Sequence, residues 1–513
     1  MPVYFLLIYK RDNICRNKST LYFKNNYGNG KFADDFSSVS GRLFLFFISV
    51  LTGIFICGNY LIILSLADVK FNFLNTAVFS SVFFVIFLIP VFCRRKKTGK
   101  EKTAIENSQT NSNANLFLNG QIKKLEKPAL AAIWILIFAA FTAVVFFTFL
   151  FPVRFWDAIS CWSLKGRAFF IDGGISPFFA GHSYEFAHLS YPLYISLAQT
   201  WVYIWLGQIN ETLVKIIFPL FYLSLIFIFY HLFRKKAGRL YSSVFVLIAA
   251  GLPVVMDHGY LEYTNLVFSI ILFLGVYYFY CHVKDHNTRY SWKNLNRLLL
   301  SALFFTILSQ VRSEGFIFLV IFIAAVAGFE ISKAIKKRTE NLSAAGPIKN
   351  IFAPLLFSVF LMIPWILLRD RLNLSTLSTE WSELLSNAVN KGSELAEIFS
   401  FKNAFAALFG ELAYSAYDST RAFFGSFYGI IWVVMLIFLL LNFKRMFTGG
   451  NWVFALFIIS GFTVLFFSLG FIEEFIWSTD RYVLQLFCLT YFWIFYNLPL
   501  FDRTKPANEV KIK

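Results

Sequence analysis

What most constrains this chain is a series of uncharged apolar runs. They lie at 43–67, 72–93, 129–153, 216–233, 240–256, 263–283, 351–368, 422–443, 446–472 and 482–501. Each is long enough, or nearly so, to cross a hydrocarbon layer of about 30 Å as a helix. Two shorter runs, 298–311 and 315–329, flank Arg312-Ser313-Glu314 and read as two spans meeting at a charged corner. In a bilayer the backbone must satisfy its own hydrogen bonds, so such runs become helices. The expected fold is an all-α polytopic membrane protein with about twelve transmembrane helices. A composition that is 58% hydrophobic, with 67 Phe, excludes an ordinary soluble domain.

The charge is patterned, and the pattern decides what it means. The net charge of +18 would suit a nucleic-acid partner if it formed one surface. Most Lys and Arg instead fall at 10–42, 94–127, 234–239, 284–297, 333–349, 444–445 and 503–513, with the intervening connections poor in them. That alternation is the positive-inside pattern. It predicts a multi-pass protein of the cytoplasmic membrane with both termini cytoplasmic, in contact with membrane lipid and not with nucleic acid. No secretory signal is visible, because Pro2–Tyr9 is too short an apolar run and lacks a cleavage site. The six Cys are scattered without paired metal spacing.

The expected organisation is a basic cytoplasmic arm (1–42), a two-helix N-terminal preface (43–93), a polar cytoplasmic linker (94–128), a membrane body (129–500) and a tail (501–513). Tyr191–Gly207 has nearly the composition of a span. If it crossed, Arg234-Lys235-Lys236 and every later basic cluster would change sides. The charge pattern therefore makes it a re-entrant or interfacial helix within an outer loop of about 152–212. A second outer loop runs over 369–421.

With this topology a set of ionisable residues collects on the outer face. Asp157 stands between aromatic residues in Phe155-Trp156-Asp157-Ala158, just beyond a span. A carboxylate so near the bilayer is a functional candidate by default. It reads either as an N-cap for the following helix or as a general base or metal ligand. Trp162, Lys165 and Phe169 recur at three- and four-residue spacing, the pattern of an amphipathic helix lying on the membrane. Charges at helix ends also mark the water boundary, and that reading covers part of the set.

Several short motifs occur in order. They are Trp156-Asp157-Ala158, Trp162, Lys165-Gly166-Arg167, Gly173-Gly174 and His188-x-x-Tyr191-Pro192-Leu193, then Gly259-Tyr260-Leu261-Glu262, Arg312-Ser313-Glu314-Gly315 and Arg481-Tyr482-Val483-Leu484. Together they resemble the bacterial polyprenyl-phosphate-sugar-dependent glycosyltransferases of the GT-C fold, related to protein O-mannosyltransferases and lipid A aminoarabinose transferases. The resemblance covers about 129–500. Glu262 stands where these enzymes usually carry Asp, Gly166 where Ala is common and Arg312 where Lys is frequent. Ala158 follows Asp157 where some relatives have a second acid, so no metal or other cofactor is predicted.

The resemblance implies a GT-C-like bundle with outer-face amphipathic or re-entrant helices, and transfer of a monosaccharide from a polyprenyl-phosphate donor, with inversion, to an unknown acceptor (lipid, glycan or protein). Asp157 and Glu262 are the catalytic candidates. An acceptor hydroxyl is a poor nucleophile and needs a carboxylate in reach as it loses its proton. Arg481, Arg312, Lys165 and Arg167 are candidates for the donor phosphate, since a leaving phosphate needs preorganised cations. Trp156, His188, Tyr191, Asp257, His258 and Glu314 are candidates for the substrate pocket. Two other readings remain: a transporter or flippase of a lipid-linked or anionic substrate, and a polyprenyl-diphosphate-dependent glycan polymerase or ligase. Transporters place ionisable residues in broken helices near the midplane, whereas here they gather at one surface.

Overall fold

A computed structural model describes residues 38–95, 116–180, 187–284, 292–339, 345–374, 431–469 and 475–498. The basic arm up to 37, the linker over 96–115, residues 375–421 of the second outer loop, 422–430 of the apolar run that follows it and the tail 501–513 lie outside them. Among the described residues every regular element is helical, and seven helices are long and apolar enough to cross a membrane. This is an all-α polytopic membrane architecture.

The helices are α1 (Val39–Leu66), α2 (Phe73–Arg95), α3 (Leu116–Leu150), α4 (Leu164–Asp172), α5 (Ser176–Ala180), α6 (Tyr194–Leu206), α7 (Ile217–Ala250) and α8 (Pro253–Tyr260). They continue as α9 (Asn265–Lys284), α10 (Trp292–Val311), α11 (Glu314–Thr339), α12 (Ala345–Arg371), α13 (Ile431–Leu441), α14 (Phe443–Met446), α15 (Trp452–Leu469) and α16 (Phe475–Tyr496). A π-helical turn over Ala158–Ser163 leads into α4. Residues 116–128, expected as linker, belong to α3 and run through Pro128 into the span. Leu118, Ile122 and Leu125 already recur there at helical spacing.

One feature of α7 matters for the count of crossings. Gly238 breaks it with φ 80° and ψ −173°, a backbone region open essentially to glycine. The two halves then fold back on each other. The Tyr222 hydroxyl donates to the Ala250 carbonyl at 2.8 Å, and the Phe233 and Phe245 rings lie 5.3 Å apart. A straight helix would separate the first pair by roughly 40 Å. The basic run Arg234-Lys235-Lys236 thus sits at a hairpin tip, where the charge pattern had placed a connection.

Contacts between helix ends define two ends of the bundle. At one, Ser40 meets His231 (3.4 Å) and Arg234 (3.2 Å), Lys236 donates to the Tyr496 carbonyl (2.7 Å), and Arg445 donates to that of Asn497 (2.8 Å). Buried His282 belongs to the same end. Its Nδ1 donates to the Asn294 carbonyl (3.0 Å) and its Nε2 lies 3.0 Å from Glu330, which also accepts from Lys333 (2.9 Å) and Asn350 (3.2 Å). These bonds tie α9, α10, α11 and α12 together. Breaking such a buried ionic cluster on one side costs about 3–5 kcal/mol. At the opposite end Arg371 grips the Asp68 carboxylate at 2.7 and 2.8 Å and the Leu66 carbonyl at 2.8 Å. Every candidate site residue belongs to this second end.

The preface is built into the body. Phe44, Ile48, Leu51 and Phe55 of α1 share one core with Phe218, Phe221 and Phe229 of α7. Helix α6 runs beside α1 in the same direction. The Tyr194 hydroxyl donates to the Leu51 carbonyl (3.0 Å), Leu197 packs against Gly58, and Tyr60 faces Trp201. Its first residue therefore lies well down α1 and its last emerges at the site end. At 13 residues, roughly 20 Å, it enters the bundle without crossing it.

Candidate functional site

The 158–166 segment is positioned by α6. Ser196 donates to the Trp162 carbonyl (2.9 Å), Gln199 to the Ser163 hydroxyl (2.9 Å), and Thr200 to the Gly166 carbonyl (3.1 Å). A Cβ on Gly166 would stand 3.0 Å from both the Gln199 Cβ and the Ser196 carbonyl oxygen. Glycine here permits the close approach. Trp162, Lys165 and Phe169 are buried by this packing, so the stripe expected to lie on the membrane faces protein.

Asp157 stands at the head of this segment but makes no capping bond. Its Oδ2 accepts from Arg481 Nη1 at 2.6 Å, across 324 residues of chain. The Arg481 guanidinium lies over the Tyr263 ring, 5.1 Å from its centroid. The capping reading of Asp157 therefore fails, and its partner is the residue expected to hold a phosphate.

Arg312 is engaged differently. Its Nε and Nη2 form a fork on Glu314 at 3.2 and 3.0 Å, and Nη1 reaches Thr264 (3.3 Å) and Asn265 (3.4 Å). The cation lies 5.0 Å from the Tyr482 ring centroid. Asn265 also accepts from Gln485 at 3.2 Å, which links the 312–314 corner to α16. Gly315 makes the corner possible, because a Cβ there would collide with the Leu308 carbonyl.

Lys165 is fully buried. It donates to the His188 carbonyl at 2.7 Å, and its Nζ is 6.0 Å from the Tyr191 ring. Burial lowers its pKa to about 7. His188 stacks on Tyr191 with 4.7 Å between ring centroids and adopts φ 48°. Phe155, two residues before Asp157, has φ 73°. Such backbone costs about 1–3 kcal/mol per residue and concentrates at functional sites. Here the Lys165 ammonium holds the 188–191 turn, and the Ile159 N–H bonds the Phe155 carbonyl at 3.0 Å.

The remaining candidates have other partners. Glu262 is buried 3.4 Å from Lys215 Nζ, not beside Asp157. Neither of its oxygens has a well-formed hydrogen bond, and burial raises its pKa to about 7 against the pull of Lys215. Asp257 accepts from the Tyr260 hydroxyl at 2.7 Å, and burial raises its pKa. His258 Nδ1 must donate to the Val254 carbonyl (3.0 Å), which leaves Nε2 to face the Asn265 amide at 3.5 Å. Burial holds this imidazole neutral, with its pKa down to about 4. Asp257 and His258 thus face different partners and form no pair. Arg167 forms an exposed ion pair with Glu211 at 2.8 Å, and Trp156 is 69% exposed.

The contacts therefore gather Asp157, Lys165, His188, Tyr191, Arg312, Glu314 and Arg481 with Tyr263, Thr264, Asn265, Tyr482 and Gln485 into one cluster. Sequence reasoning missed the last five, and it missed Lys215 as the partner of Glu262. Asn265 and Gln485 carried a signal, being amides within apolar runs. Tyr482 stood in the Arg481-Tyr482-Val483-Leu484 motif, whereas Tyr263 carried no signal, because aromatic residues at a membrane boundary are ordinary. Among the described residues no group of three His, Cys, Asp or Glu side chains is gathered to hold a metal ion. Chemically, a carboxylate and several cations backed by aromatic rings suit an anionic substrate that undergoes proton transfer. Comparison of the chain with protein-family models, curated proteins and solved structures found no match.

Proposed function

We propose that this protein is an integral-membrane glycosyltransferase of GT-C type. It transfers a monosaccharide from a polyprenyl phosphate to a lipid, glycan or protein acceptor at the outer face of the cytoplasmic membrane. The observation that carries this reading is the Asp157–Arg481 pair, a carboxylate touching a guanidinium, with Lys165 and Arg312 near by. In this reading Asp157 takes the acceptor proton and Arg481 receives the leaving phosphate. Arg312 and Glu314 brace the corner behind them, and Tyr191, Tyr263 and Tyr482 supply ring faces for the sugar. Twelve crossings follow if the two halves of α7 count separately and α2, α13, α15 and α16 each cross. Both termini then lie on the cytoplasmic side.

The ionisable cluster around His282 does not favour a transporter, because it sits near helix ends and its groups satisfy one another. The test compares cells lacking the protein with their parent. Loss should remove a sugar from a surface glycan or lipid and accumulate the polyprenyl-phosphate sugar. Complementation with Asp157→Asn should fail although the variant inserts normally, since removing a general base costs about 10²- to 10⁴-fold in rate. Unchanged lipid-linked sugars and surface glycans, or full complementation, would sink the reading.

A further inference from the structure

We propose that donor binding itself releases the base: the donor phosphate displaces Asp157 from Arg481, so the carboxylate becomes available only in a site already holding donor. This rests on the glycosyltransferase reading above.

The cations of the cluster differ in what they can give up. Arg312 is forked onto Glu314, and both side chains are only 11% exposed. Opening that pair would strand a buried carboxylate, at the cost of a broken buried ion pair. Lys165 is committed to the His188 carbonyl and to the strained turn behind it. Arg481 and Asp157 are 22% and 41% exposed. Nη1 of Arg481 donates to Oδ2 of Asp157, and at this exposure water can take over either partner as the contact opens. A guanidinium binds a phosphate through two parallel bonds, which the non-bridging oxygens of a phosphodiester offer. Tyr263 beneath the guanidinium keeps Arg481 in place while its anion changes.

The exchange orders the chemistry. Donor phosphate enters on Arg481 and Asp157 swings free. The acceptor O–H then gives its proton to the Asp157 carboxylate. The acceptor oxygen's electron pair forms the new bond to the anomeric carbon. The bond from that carbon to the phosphate oxygen breaks, and its electron pair stays on the phosphate, against Arg481. The products are the glycosylated acceptor, the polyprenyl phosphate and a protonated Asp157. Without donor, the ion pair keeps the carboxylate occupied, so an acceptor that enters first meets no free base.

The test is binding of geranylgeranyl phosphate, a sugar-free polyprenyl monophosphate, to the full-length protein in nanodiscs, measured by calorimetry. Asp157→Asn and Asp157→Ser should both bind it more tightly than wild type by about two- to fivefold, the size of a part-exposed ion pair, while losing transfer. Thermal unfolding of each variant verifies that it is folded. Equal or weaker binding by both variants, with wild type binding normally, would overturn the exchange alone. No binding to wild type would overturn the glycosyltransferase reading beneath it.

Discussion

Asp157 shows how one residue changes meaning when its partner is known. Next to a helix start it looks like a cap, yet its side chain caps nothing and holds Arg481 instead. Lys165 is the other residue whose chemistry depends on burial. Its ammonium is desolvated and bonded to a carbonyl, and its pKa falls from 10.5 to about 7. Between those two values the unfolded chain binds the proton and the folded protein does not. Stability therefore rises with pH across that window. The expected outcome is that wild type gains thermal stability relative to Lys165→Met between about pH 7 and 10. A pH-independent difference between the two unfolding midpoints would show that Lys165 remains charged. Below pH 7 both folded and unfolded wild type carry the proton, and the difference should level out.

Among the elements, the α10–α11 corner and the α4–α6 contact rest on glycine for reasons of space, whereas the α7 hairpin rests on it for backbone conformation. At the corner, α11 begins so close to the last turns of α10 that a methyl group on Gly315 would meet the Leu308 carbonyl. Backbone cannot yield as a flexible side chain can. Gly315→Ala should cost about 1–3 kcal/mol, typical of overpacking, and should shift the Arg312–Glu314 fork that the corner presents. Thermal unfolding in detergent, together with geranylgeranyl phosphate binding, checks both effects. A variant with wild-type stability would mean that the corner relaxes freely. The same element logic explains α6. Its hydroxyls and amide bond the 162–166 segment, so a helix apolar enough to pass for a span spends its polar side chains on the site.

For the whole molecule, the division into two ends is the organising fact. The described basic residues Arg234, Lys236, Arg297, Lys333 and Arg445 gather at the end held by His282 and Glu330, and the candidate site lies at the other. If the positive-inside pattern sets the sides, the two ends must differ in access from outside the cell. In a cysteine-free background, Ala180→Cys should react with a membrane-impermeant thiol reagent in intact cells. Lys235→Cys, at the tip of the α7 hairpin, should react only after permeabilisation. The reverse pattern would invert the topology and place the candidate site in the cytoplasm.

The sequence by itself determined that the chain is a helical membrane protein, roughly where its helices lie, and which connections carry ionisable groups. Those features follow from local hydropathy and length, which each segment satisfies without reference to the others. It also made Tyr191–Gly207 non-crossing, because charge alternation is a rule about consecutive loops. Local pattern did not reveal that 116–128 is helical, nor that Trp162, Lys165 and Phe169 are buried in protein. Both interiors are apolar, so periodicity alone does not distinguish protein from bilayer. Only the tertiary structure decided the partnerships: Asp157 with Arg481, Glu262 with Lys215, Arg167 with Glu211 and Arg312 with Glu314, Thr264 and Asn265. Which charge meets which, across separations from 2 residues (Arg312–Glu314) to 324 (Asp157–Arg481), depends on how the helices pack, and no spacing along the chain is common to these pairs.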